Sequence, residues 1–128
     1  MAGCRLTCRS STVADSGPRR TFHLTPQAWW EAADPAAPLG APSLEHEGFI
    51  HCTDGAAEMV ATANRHYLAD PASFVILTVD LGRVSSLWSA DDPGGIYPHL
   101  FGPIDRAAII AAVVAPRDAA GRFLPFES

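Results

Sequence analysis

The chain has 128 residues, enough for one hydrophobic core and too few for two, and 48% of them are apolar, a packed globule's composition rather than a disordered chain's. Its formal charge is -5 and its nine basic residues are all arginine, which excludes Schiff-base lysine chemistry and a P-loop lysine and argues against a broad nucleic-acid surface. Cys4, Cys8 and Cys52 have neither zinc-ribbon nor C-x-x-C spacing, and no apolar run approaches the roughly 20 residues of a membrane span, so a reducing compartment, the cytosol, is the expected location.

Residues 1–20 carry Ser, Thr, Arg and Gly with almost no large apolar side chain, and are expected to form a flexible extension to a single domain over 21–128. Thr21-Phe22-His23-Leu24 alternates as a half-buried strand, and Thr25-Pro26 then reads as a capped helix start, with the helix running to about Ala33. Four Pro and Gly residues between Asp34 and Ser43 predict a loop that borders a pocket.

Gly48 to Cys52 reads as a second strand, followed by a Thr53-Asp54 cap and a helix to about Leu68 whose Ala56, Met59, Val60, Ala63 and Tyr67 make one apolar stripe. Phe74 to Val79 is the expected central strand. Leu87 to Ser89, Ile96 to Phe101 and a stretch within Ile109 to Ala115 are weaker strand candidates, with a turn at Asp91 to Gly95. Asp105 to Ala112 can equally begin as helix.

His23 and His51 each stand just before an expected helix start, where free N–H groups favour a neutral imidazole and an anionic ligand. His99 lies in a short aromatic segment with Tyr97 and Phe101 that suits ring stacking. These three histidines are therefore expected to line one small-molecule pocket as its catalytic residues, with Thr25, Phe49, Thr53, Arg65, Tyr97 and Phe101 as the ligand-binding set. His46 and His66 are assigned to the surface. A hydrogen-bonded structural role is the competing reading for each histidine.

A zinc site from His23, His51, Cys52 and His99 lacks diagnostic spacing, and strand alternation sends Cys52 away from His51, so no metal is expected. A Cys52 nucleophile is similarly unsupported. Adjacent Trp29 and Trp30 are not expected to face inward together, which leaves one for a pocket wall or a partner surface.

Phe22-His23-Leu24-Thr25, Glu47 to Thr53, Ala63 to Tyr67 and Pro98 to Pro103 occur in that order, and together they resemble the domain-of-unknown-function 952 family from about Thr21 to Phe126. The resemblance implies an α+β fold with a split sheet, similar to the ADP-ribosyltransferase superfamily, with two or three short helices and NAD across the cleft. It also implies that His23 contacts the nicotinamide ribose, that the second-strand position falls near His51 or Thr53, and that His99 closes the site. The chain departs from that superfamily in offering no evident glutamate in the last active-site strand. The tRNA 2′-phosphotransferase branch is a closer analogy, with Arg65 as its phosphate-binding arginine. The expected activity is that of a transferase or glycohydrolase on NAD, ADP-ribose or a related phosphorylated molecule. A non-catalytic binder and a histidine acid–base enzyme working without NAD are the alternatives.

Overall fold

Phe74 to Val79, uncharged and rich in β-branched residues, becomes the centre of the domain. In a computed structural model that describes residues 19–127, the strand β3 (Phe74–Asp80) is buried along its whole length. Strand β1 (Arg20–Pro26) lies antiparallel on one side of β3 and β6 (Ile109–Val114) on the other. Three two-residue strands, β2 (Ile50–His51), β4 (Trp88–Ser89) and β5 (His99–Leu100), form a second antiparallel sheet with β5 in the middle. The result is an α+β domain with two small sheets and three short helices, α1 (Gln27–Ala32), α2 (Pro42–Glu47) and α3 (Ala56–His66).

Strand alternation divides the interior in two. Phe22 of β1 and Phe74 and Ile76 of β3 pack with Met59 and Ala63 of α3, whose apolar stripe lies where helical spacing puts it. On the other face Val75, Leu77 and Val79 meet Ile50 and Leu100 of the second sheet, with Leu39 and Ile104. Thr21, His23 and Thr25 of β1 pair in register with Val79, Leu77 and Val75, so three polar side chains share the face of β1 that looks into this inter-sheet core. The sheets are tied together where β1 and Thr53 exchange backbone bonds, Phe22 N–H to Thr53 O at 2.9 Å and Thr53 N–H to Phe22 O at 2.8 Å.

Several local expectations are corrected. Thr25 does not cap a helix: β1 continues to Pro26, α1 starts at Gln27, and no side chain caps it. Thr53 and Asp54 do not cap α3 either, because Thr53 is engaged by Phe22 and Asp54 by Arg19 at 2.7 Å, while Gly55 occupies the cap position. Most of the first twenty residues lie outside the described ones, but Arg19 and Arg20 are part of the folded unit. Arg106 to Ala108 makes only one 3-10 turn before β6 takes over, since β3 offers that segment a strand partner. Trp29 and Trp30 both pack against the inter-sheet core. The helix α1 is short enough to leave each partly buried on one flank, with Trp29 Nε1–H donating to Gly40 O at 3.0 Å and the Arg106 guanidinium 5.0 Å over Trp30.

The segment expected as loop ends in α2, which starts on Pro42 and stops at Gly48, the usual start and stop residues of a helix. Gly48 has φ 89°, and this left-handed turn swings the chain from α2 into β2. Nothing lies within 4 Å of a Cβ built there, so Gly48→Ala is expected to cost only the backbone term, about 1 kcal/mol in denaturant unfolding. Among the described residues no helix is long and apolar enough to cross a membrane.

Candidate functional site

His23 is fixed from two sides. Its backbone belongs to β1 and its ring enters the inter-sheet core, where it is 5% exposed and Nδ1 lies 2.8 Å from the carbonyl oxygen of His51. A carbonyl only accepts, so Nδ1 carries the hydrogen and Nε2 is left with a lone pair. That Nε2 is buried without any hydrogen-bond partner among the described residues. Burial holds the ring's pKa down at about 4, with the bond to the His51 carbonyl pulling the other way and the His51 charge adding to the depression. His23 is therefore neutral at pH 7, and Nε2 is an acceptor only. Two residues along the same strand face, Thr25 is 1% exposed and its hydroxyl is likewise unpartnered.

The second sheet supplies an aromatic wall. Antiparallel pairing sets His51 opposite His99, with ring centroids 5.4 Å apart and planes at 76°. Phe49 stacks on His99 at 4.2 Å and 13°, and meets the His51 ring edge-on at 4.8 Å. Glu47, the last residue of α2, brings Oε1 to 3.1 Å from His51 Nε2.

These groups border one cleft of about 780 Å³ that runs between β1, α2, β2 and α3. His23, His51, His99, Thr25, Thr53, Arg65 and Tyr97 all line it. Phe49 and Phe101 are not among its lining residues: Phe49 supports the His99 ring from behind, and Phe101 is 50% exposed, 6.1 Å from Phe49. Arg65 is exposed at the mouth, its Nη2 at 3.3 Å from Thr62 Oγ1 and 3.4 Å from the Tyr97 hydroxyl, and no carboxylate pairs with it among the described residues. His66 is exposed, as expected, yet it also borders the cleft.

Three carboxylates line the cleft beside that single arginine: Glu47, Asp70 and Asp92. Asp92 spends both oxygens on the N–H groups of Ile96 and Tyr97, each at 3.0 Å, and Asp70 accepts from Ala72 N–H at 2.9 Å. Glu47 alone of the three is engaged by a side chain of the cleft, and it was not expected as a site residue. Its signal was present in Pro42 and Gly48, which bracket α2 and so set Glu47 across the turn from His51.

Neither histidine stands at a helix start, so neither favours an anionic ligand there: His23 lies four residues before a helix of six, and Cys52, Thr53, Asp54 and Gly55 separate His51 from α3. Burial, rather than a helix dipole, keeps His23 neutral. Cys52 points into the core, and burial followed by the nearby Asp54 charge pushes its thiol up, leaving no thiolate for nucleophilic work. Among the described residues, no group of three or more His, Cys, Asp or Glu is arranged to hold a metal ion.

A family model described as "Protein of unknown function (DUF952)" matches residues 24–112. The chain belongs to the DUF952 family. The match begins one residue after His23 and covers every other site residue above. Two crystal structures of protein CC0527 from Caulobacter crescentus, one of them a double methionine mutant, share the fold of this DUF952 domain. Each has a TM-score of 0.66 and 22% sequence identity, and the superposition covers 82% of this chain and 93% of the other. No curated protein matches the chain.

Proposed function

We propose that the cleft binds a ribosyl phosphate compound, NAD, ADP-ribose or a close relative, and acts on it as a transferase or glycohydrolase of the ADP-ribosyltransferase kind. The observation that carries this reading is that, of the three buried polar atoms on one face of β1 without a partner among the described residues, Thr21 Oγ1, His23 Nε2 and Thr25 Oγ1, the last two belong to residues that line the cleft. A buried polar group without a partner costs about 1–3 kcal/mol, a cost that a bound ligand removes. Because His23 Nε2 only accepts, it turns away phosphate and carboxylate oxygens and calls for an O–H or N–H. Residues two apart on a strand are roughly 7 Å from each other, the span of a sugar ring with its hydroxyls. The sugar is thus the end that enters, and Arg65 beside Tyr97, paired with no carboxylate among the described residues, is the group available to a phosphate at the mouth.

The remaining chemistry follows from charge. Breaking the glycosidic bond of NAD builds positive charge on the ribose, which the cleft's carboxylates favour, and nicotinamide leaves without needing a strong acid. Positioning then supplies most of the rate. A second reading, histidine acid–base chemistry on a small metabolite without NAD, draws on the Glu47–His51 contact, which resembles the carboxylate-oriented base of many hydrolytic sites.

Thermal unfolding with NAD, ADP-ribose and ribose 5-phosphate tests the reading. Saturation at 100 times Kd is expected to stabilise the domain by about 2.7 kcal/mol, and no shift with any of the three contradicts it. Release of nicotinamide from NAD that disappears in His51→Ala, with ADP-ribose binding kept, is the expected sign of catalysis. Tight binding without release leaves a nucleotide-binding protein.

A further inference from the structure

We infer that Glu47 is a positioning residue that sets which nitrogen of His51 meets the ligand. This deepens the ribosyl reading above and rests on it only for the identity of the ligand. Glu47 closes α2, Gly48 turns the chain with φ 89°, and β2 resumes at Ile50, so two residues four apart come face to face without sharing a helix. The carboxylate can only accept, so at 3.1 Å the hydrogen resides on His51 Nε2, and in the neutral ring the lone pair is on Nδ1. Among the described residues nothing hydrogen-bonds Nδ1. The ring is held further by the edge contacts to Phe49 at 4.8 Å and His99 at 5.4 Å, and its own backbone carbonyl is the acceptor for His23.

Two histidines of one cleft thus carry their protons on opposite nitrogens. His23 is protonated on Nδ1 because of His51's carbonyl, and His51 on Nε2 because of Glu47. Each is left with one acceptor nitrogen: His23 Nε2 suits a ribose hydroxyl, favouring ribose over deoxyribose, and His51 Nδ1 is free for the proton of an attacking water. With water as the attacking group, the oxygen bonds the ribose carbon, nicotinamide leaves with the electron pair of the broken C–N bond, and the water's proton passes to His51 Nδ1. The imidazolium formed is then stabilised by the Glu47 carboxylate on its far nitrogen.

Long-range proton–nitrogen NMR at pH 8 reads the tautomer of each imidazole directly and needs no turnover. Wild-type His51 is expected as the Nε2–H form. Glu47→Gln keeps an accepting oxygen and should keep that form, whereas Glu47→Leu should convert His51 to a mixture while His23 stays on Nδ1–H, which reports an intact fold. NAD turnover, where present, should fall by about 10- to 100-fold in Glu47→Leu with KM little changed, and by less in Glu47→Gln. An unchanged His51 tautomer in Glu47→Leu overturns the inference. Failure of the ribosyl reading appears separately, as ADP-ribose moving no cleft histidine resonance in the wild-type protein.

Discussion

His23→Asn is expected to keep the fold and weaken ADP-ribose binding by about 10- to 100-fold, the loss that accompanies one removed hydrogen bond inside a desolvated site. The asparagine amide can reach the position of Nδ1 and still donate to the His51 carbonyl, which ties β1 to β2, but it has no atom where Nε2 stands. His23→Leu separates the two roles from the opposite direction. It leaves the His51 carbonyl unpartnered beside the core, and about 2–4 kcal/mol of stability should go with it. Calorimetric titration of ADP-ribose and urea unfolding of both variants check these outcomes together. Wild-type affinity in His23→Asn would show that Nε2 does not meet the ligand.

Acid should loosen the domain earlier than its carboxylates alone would predict. His23 has a pKa of about 4 when folded against 6.5 when free, so between those values the unfolded chain binds the proton and the folded one does not. Stability from this source is complete above about pH 6.5, declines as pH falls, and is fully lost below about pH 4. The gap between those two values is worth about 3 kcal/mol, a large part of the roughly 5–15 kcal/mol by which a small domain is stable. Asp105 acts in a lower window: the Ser85 N–H, ahead of other effects, holds its carboxyl below the usual 3.8, so its contribution persists above that value and fades only at stronger acid. Urea unfolding across pH 4 to 7 should therefore show a slope in the wild-type protein that is absent in His23→Asn. A flat wild-type profile would mean that His23 accepts a proton without leaving its place.

The fold was legible where burial is two-sided or periodicity is long. Phe74 to Val79 could only be a covered strand, and the stripe Met59, Ala63 and their neighbours could only be a helix. The short elements were less legible, because strands of two residues such as β2, β4 and β5 owe their existence to each other rather than to local preference. The capping expectations failed for a related reason. Thr25 and Thr53 carry the right side chain for a cap, but tertiary pairing with Val75 and Phe22 draws both into extended backbone.

The convergence of residues was legible from strand-end contexts, since seven of the nine singled out in the sequence border one cleft. What the sequence could not reveal was how His23 is held. Its neutrality arises from burial between two sheets, and its open nitrogen from a carbonyl 28 positions away. Phe101 stands outside the cleft lining because alternation turns Leu100 inward and Phe101 out, which an aromatic residue between Leu100 and Gly102 does not reveal. Glu47 was overlooked because its role depends on the reversal at Gly48 rather than on any spacing along the chain.

On the function proposed above, a ligand hydroxyl supplies the partner that His23 Nε2 lacks among the described residues. A crystal of the wild-type protein grown with ADP-ribose measures this directly. The expected result is a ribose hydroxyl within hydrogen-bond distance of His23 Nε2, with a phosphate near Arg65. A ribose bound elsewhere, or a protein or water donor found on Nε2 with the ligand outside the cleft, would contradict it.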